Sequence, residues 1–256
     1  MTQENEKEIQ QIKNRFHDLA ERSYSQGIFT FTGFLGLSEQ ELFWQEEKKL
    51  RYAGPFLEGG SRDADRKLLR FGDPRELGYE TPFPIVCVHI RPLLQKFADR
   101  LSHRDFLGAL MNLGIDRSTL GDIRVGEKEA YLFCVESIAE FICENLEQVR
   151  HTRVSCIVTE KLEDIPREEP DIVSVQVPSL RADAVIARIF SLSREKSLEL
   201  FRGGKVYVGG RLCENNSRSL QTGETVSVRG FGKFSLRGEA RETRKGKLSV
   251  EADVYR

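Results

Sequence analysis

Ile85-Val86-Cys87-Val88-His89-Ile90, bounded by Pro84 and Pro92, is a short apolar run rich in β-branched side chains. That composition between two prolines predicts a strand. Toward the C-terminus, Ser102 and Asp105 form a capping-box pattern. It opens Phe106-Leu107-Gly108-Ala109-Leu110-Met111, an apolar helix ending near Gly114. Two strands are predicted at 121–125 and 130–135, with Gly126-Glu127-Lys128-Glu129 as the turn. Ile138, Phe141, Ile142 and Leu146 recur at helical spacing, and residues 154–158 read as a last strand. The order β-α-β-β-α-β over residues 79–160 is the split βαβ, or ferredoxin-like, arrangement. Many RNA-binding modules use it, and so do many unrelated proteins, so it does not decide function.

Residues 1–78 read as helical. Ile9, Ile12, Phe16, Leu19 and Ala20 line one helix face, and Ser38 with Glu41 caps a second helix before Leu42-Phe43-Trp44. The stretch from Gly54-Pro55 to Gly59-Gly60 is turn and loop, and a third helix is predicted at 63–69. On the other side, residues 161–172 are acidic, carry two prolines and read as a linker. Within 173–256, Val185, Ile186, Ile189 and Phe190 line a short helix, with Arg181 and Arg188 on another face. Ser193 caps a helix from Arg194 to Phe201, which Gly203-Gly204 stops. Strands follow at 205–208 and 225–229, and residues 233–239 and 247–254 form a hairpin across Arg244-Lys245-Gly246. The predicted class is α+β.

The 256 residues carry a formal net charge of −1, which taken whole points away from nucleic acid. The total conceals a division. Residues 178–256 hold 16 Lys/Arg against 9 Asp/Glu, and residues 1–177 hold 23 against 31. Such asymmetry hints at nucleic-acid or membrane interaction. No apolar run is long enough for a membrane helix, and the start, Met1-Thr2-Gln3-Glu4-Asn5-Glu6, is no secretory signal. Five scattered cysteines without a C-x-x-C pair, and four histidines, indicate neither disulfides nor a metal site. The expectation is a reduced, cytoplasmic monomer without cofactor, metal or small-molecule substrate.

Arg181, Arg188, Arg194, Lys196, Arg202, Lys205 and Arg211 fall on one compact helix-turn-helix-strand stretch. Positive side chains so spaced hold a polyanion by releasing its counterions, and Arg194 in a helix's first turn adds free N–H groups that favour phosphate. A merely solvated basic surface has the same composition, and both readings stand at this level. Arg62, Arg66, Lys67 and Arg70, with Arg104, form a candidate second RNA surface. His103-Arg104-Asp105 is not a kinase signature, because no Gly-rich loop or Asp-Phe-Gly accompanies it. Capping by Asp105 is the plainer reading.

The C-terminal motifs are more specific. Arg181-Ala182-Asp183, Ser193-Arg194, Lys196-Ser197, Arg202-Gly203-Gly204-Lys205-Val206 and Gly223-Glu224-Thr225-Val226 stand in order. Together they resemble the S-four RNA-binding domain, with Ala182, Gly209 and Glu224 as departures from its usual residues. Ser102-His103-Arg104-Asp105-Phe106-Leu107-Gly108, Leu113-Gly114-Ile115 and Leu120-Gly121-Asp122-Ile123 resemble the signature of YlmH-type proteins, as does Gly59-Gly60 with Asp63-Ala64-Asp65-Arg66-Lys67. The resemblance implies a helical N-terminal part, a ferredoxin-like middle and a C-terminal S-four domain. It implies RNA contacts at the residues above together with Ser193, Ser197, Arg229 and Lys233. It further implies binding of ribosomal RNA and tRNA on the large ribosomal subunit carrying peptidyl-tRNA, in rescue of stalled translation. Two other classes compete: an RNA-modifying pseudouridine synthase or methyltransferase, and a cell-division-linked scaffold. Against the enzyme stand the domain's place at the end of the chain and the lack of a G-x-G-x-x-G or phosphate-binding loop motif, although carboxylates such as Asp122 are not excluded by spacing.

Overall fold

The computed structural model describes residues 3–61, 63–160, 165, 169–243 and 246–255. Contacts divide the chain into two compact units, Met1–Arg167 and Glu168–Arg256. Each combines helices with antiparallel sheet, an α+β fold.

The first unit opens with α1 (Gln3–Gln26), β1 (Thr30–Leu35) and α2 (Leu37–Leu50). Next come β2 (Phe56–Glu58), β3 (Lys67–Phe71) and the short α3 (Pro74–Leu77). Among the described residues the strands form a sheet in the order β1-β3-β2. Phe16 and Ala20 of α1 and Phe43 of α2 pack with Leu69 and Phe71 on one face of it. Residues 63–69, predicted as a helix, instead lead into β3. Leu68 and Leu69 are both fully buried, on opposite faces of this central strand, so the alternation that reveals a strand is erased. Helix α2 starts ahead of Ser38. Gly36 is its N-cap, and Glu39 Oε2 accepts the Gly36 N–H at 2.7 Å.

β4 (Ile85–Pro92), α4 (His103–Asn112), β5 (Leu120–Val125), β6 (Ala130–Val135), α5 (Glu136–Asn145), β7 (Gln148–Val149) and β8 (Thr152–Thr159) complete the unit. The sheet order is β5-β6-β4-β8-β7. Phe106 and Leu110 of α4 and Ile142 of α5 bury Val88, Ile90 and Leu132 on one face. On the other face Cys87, Tyr131 and Phe133 pack against Phe34 of β1 and Leu68 of β3. Residues 1–78 and 79–160, read as separate domains, thus share a buried cluster within one unit. Gly121 marks the close approach: a Cβ there would lie 2.7 Å from the Phe34 ring.

The second unit contains β9 (Asp171–Val177), α6 (Ala182–Ile189), α7 (Arg194–Arg202), β10 (Val206–Val208) and β11 (Arg211–Leu212). β12 (Thr225–Val228), β13 (Gly232–Glu242) and β14 (Leu248–Tyr255) follow. One antiparallel sheet runs β11-β10-β12-β13-β14-β9. Val185, Ile186 and Ile189 of α6 and Leu200 and Phe201 of α7 share a core with Val206, Val226, Phe234 and Val250. Asp171 and Ile172, assigned to the linker, begin β9. Its Val173, Val175 and Val177 turn to the core while Ile172, Ser174 and Gln176 are exposed. The rest of 161–168 except Ile165, and Arg244 and Lys245 of the hairpin turn, lie outside the described residues. Among the described residues no helix is long and apolar enough to cross a membrane.

Candidate nucleic-acid interface

The basic residues of the second unit divide into those that build it and those it presents. Arg181 is the N-cap residue of α6, and its Nε and Nη2 donate to both carboxylate oxygens of Asp183 at 3.0 and 2.8 Å. Asp183 is buried and also accepts from Asn216 Nδ2 at 3.0 Å and the Ala184 N–H at 2.9 Å. The Arg181 guanidinium, against the opposing effect of burial, holds the Asp183 carboxyl below the usual carboxylate range. The Ser197 hydroxyl, buried on α7, donates to the Asp183 carbonyl at 2.8 Å. These bonds join the start of α6, the middle of α7 and the turn around Asn216. Ser197 is therefore not presented to a ligand, and Arg181 offers only the part of its fork that Asp183 leaves.

The presented set centres on α7. Ser193 caps the helix, its Oγ accepting the Lys196 N–H at 3.1 Å. Arg194, Lys196 and Arg202 are exposed, with Lys205 just beyond the C-cap Gly203. Lys196 pairs with Glu199 at 2.8 Å. Lys196 first, then Arg202 and Lys205, hold the Glu199 carboxyl below its ordinary range. Lys196, Arg202 and Lys205 thus gather around one carboxylate. Arg188 in the last turn of α6, Arg211 on β11 and Arg229 after β12 are also exposed. Lys233 is half-buried, its ammonium 5.6 Å from the Tyr255 ring centroid.

The second surface does not form as one basic face. Arg62 lies outside the described residues, and Lys67 is half-buried. Arg66 is turned inward: Nε donates to the Leu120 carbonyl at 2.9 Å, and Nη2 donates to the Phe34 and Arg117 carbonyls at 2.7 and 3.2 Å. Burial lowers its pKa, opposed by Glu39 and Asp122. Arg70 is buried among aromatic rings. Arg104 is exposed on α4 and lines a groove of about 570 Å³ with Asn112, Asn145, Gln148 and Arg150. Asp105 accepts from the Ser102 N–H at 2.8 Å and the Ser102 hydroxyl at 2.7 Å, the capping role predicted.

Two residues of the first unit carry weight that the sequence reading gave to others. Asp122 accepts the N–H groups of Asp65 and Arg66 at 2.8 and 3.1 Å, which commits both of its carboxylate oxygens to bracing the turn before β3. Arg117 donates to the Leu120 carbonyl. Burial first, then the neighbouring Arg66, push its guanidinium down to about 10. Asp122 stands within the YlmH-like motif and Arg117 just before it, but nothing local says which chain segment these groups hold. Among the described residues no group of three or more His, Cys, Asp or Glu is placed to hold a metal ion.

Residues 79–163 match the family described as "Putative RNA-binding domain in YlmH". The chain is 33% identical over 196 residues to a Bacillus subtilis (strain 168) protein named "Ribosome-associated protein quality control protein P2", covering 75% of this chain and 74% of that one. Among solved structures, "Cell division protein ylmH from Streptococcus pneumoniae" matches with a TM-score of 0.48 and 17% identity, over 62% of this chain and 95% of its own. With that identity spread across three quarters of both sequences, the chain belongs to the YlmH family.

Proposed function

We propose that this protein binds structured RNA on the ribosome, without catalysis, through the cations that its second unit presents around α7. The observation that carries the reading is the division of labour in that unit. Arg181, Asp183 and Ser197 hold the scaffold, while Arg194, Arg202, Lys205 and Arg211 stay exposed on it. Exposed cations on a rigid frame suit a phosphate backbone recognised by shape, as in folded RNA. The quality-control name of the B. subtilis relative and the RNA-binding description matched by residues 79–163 support the same direction.

In its finer form, residues 173–256 act as an S-four-type domain after a ferredoxin-like domain at 79–160. The partners are ribosomal RNA and tRNA on the large subunit with peptidyl-tRNA, in cytoplasmic rescue of stalled translation. Salt dependence tests the site. Arg194→Ala and Lys205→Ala should each weaken RNA binding and flatten the log-affinity against log-salt slope by about one unit. Unchanged slopes in folded variants would reject these residues. Crosslinking in cells should map contacts to large-subunit RNA near the subunit interface or to tRNA, and evenly scattered contacts would reject the finer form.

A further inference from the structure

The aromatic cluster around Arg70 lies outside that reading. Strand register sets Arg70 of β3 between Phe31 of β1 and Phe56 of β2. Its guanidinium carbon is 4.9 Å from the Phe29 ring centroid, 5.2 Å from Phe83 and 5.7 Å from Phe56. Arg70 is only 8% exposed, and its Nε is buried without an acceptor. The contact from Nη1 to the Thr81 carbonyl is long, at 3.5 Å. Among the described residues no carboxylate forms an ion pair with it. A desolvated cation without counter-charge is unfavourable, and the surrounding rings offset this only in part.

The cluster is also open on one side. Phe56 is 54% exposed, and Tyr79, edge-on to Phe29 at 5.1 Å, is 45% exposed. Solvent-facing rings beside a guanidinium are the parts with which proteins hold an unstacked base: the rings give stacking faces, and the guanidinium gives positive charge and donors. An acidic peptide would answer the charge but has no use for flat ring faces.

We propose that this cluster binds one unpaired nucleotide of a structured RNA, the base stacked on Phe56 and its oxygens drawn to Arg70. The proposal rests on the RNA-binding reading but assigns a surface separate from the α7 cations. It is tested with the full-length protein and two labelled probes: an RNA hairpin with a short single-stranded extension, and the same hairpin blunt-ended. Phe56 is exposed at an edge strand, so Phe56→Ala removes the platform and leaves the core in place. Loss of one base–aromatic stack should weaken binding of the extended hairpin about tenfold and leave the blunt one unchanged. Phe56→Trp should restore the extended-hairpin affinity.

Equal affinity of Phe56→Ala and wild type for the extended hairpin would overturn the proposal. If Arg194→Ala still weakened both probes, the α7 reading would survive that result. Wild type that bound neither probe would overturn both. Phe56-dependent binding of a labelled polyglutamate peptide, with RNA affinity unmoved, would give the cluster to an acidic protein and sink the nucleotide assignment.

Discussion

Replacing Asp183 by alanine should loosen the frame of the second unit without touching an exposed cation. The side chain is 1% exposed and accepts two bonds from Arg181, one from Asn216 and one from the Ala184 N–H. Arg181 is part-exposed and returns to water, so losing that partner costs little. The Ala184 N–H keeps the Arg181 carbonyl as a second acceptor at 3.1 Å. Asn216 is left half-buried with an unanswered donor, and the turn is then held to α6 through backbone, by the Asp183 and Ala182 N–H groups donating to the Asn216 and Arg218 carbonyls at 3.1 and 2.8 Å. One such orphan, plus the lost charge-assisted bond, amounts to about 2–3 kcal/mol. For a unit of this size that is a fall in Tm of roughly 10–20 °C. Thermal unfolding followed by circular dichroism reads the shift. Hydrogen exchange resolved by mass spectrometry should show faster exchange at the start of α6 and around residues 213–219. A Tm within about 2 °C of wild type, with unchanged exchange in both segments, would refute the reasoning.

Three further outcomes follow from buried groups in the first unit. Arg66→Ala removes the Nη2 bond to the Phe34 carbonyl and one of two donors each from the Leu120 and Arg117 carbonyls, which keep Arg117 Nη1 and the Leu120 N–H. It should cost about 1–3 kcal/mol in urea unfolding, with Arg66→Lys a poor rescue because an ammonium cannot span all three. Glu46 is held at about 2 chiefly by Lys49, then by His17 and, more weakly, by Lys13, against an ordinary value of 4.5. A folded pKa below the unfolded one stabilises above that unfolded value, so the stability gap between wild type and Glu46→Gln should be full above pH 4.5 and close as pH falls toward 2. Burial pushes the thiols of Cys87, Cys134 and Cys156 up to about 12. Iodoacetamide at pH 8 should therefore spare all three in the native protein and modify them in denaturant; rapid native labelling would contradict their burial.

Where local chemistry sets the outcome, the chain could be read directly. Residues 130–135 are β6 as predicted, and Ser193 and Gly203 bound α7 as predicted, because a strand flanked by a turn and a capped helix carry their own limits. Local rules failed where burial was two-sided or the cue was polar. β3 lost its alternation between two cores. β9 starts inside an acidic stretch with one edge open, so its composition reads as linker. The start of α2 rests on a Glu39 bond to a glycine N–H, which the hydroxyl of Ser38 outweighed in the sequence pattern.

The arginines separate the two kinds of knowledge most sharply. The sequence by itself determined that positive charge gathers in residues 178–256 and that capped helices carry it, since charge count and helix spacing depend only on near neighbours. It could not distinguish Arg66 and Arg70 from Arg194, because all three stand in short basic clusters with similar surroundings along the chain. The tertiary structure decided that Arg66 spans carbonyls of β1 and the turn before β5, that Arg70 lies among rings from separate strands, and that Arg194 faces water. Burial is a property of segments that meet across tens of residues, and for Arg66 the desolvation it imposes changes a guanidinium from a phosphate ligand into a structural brace.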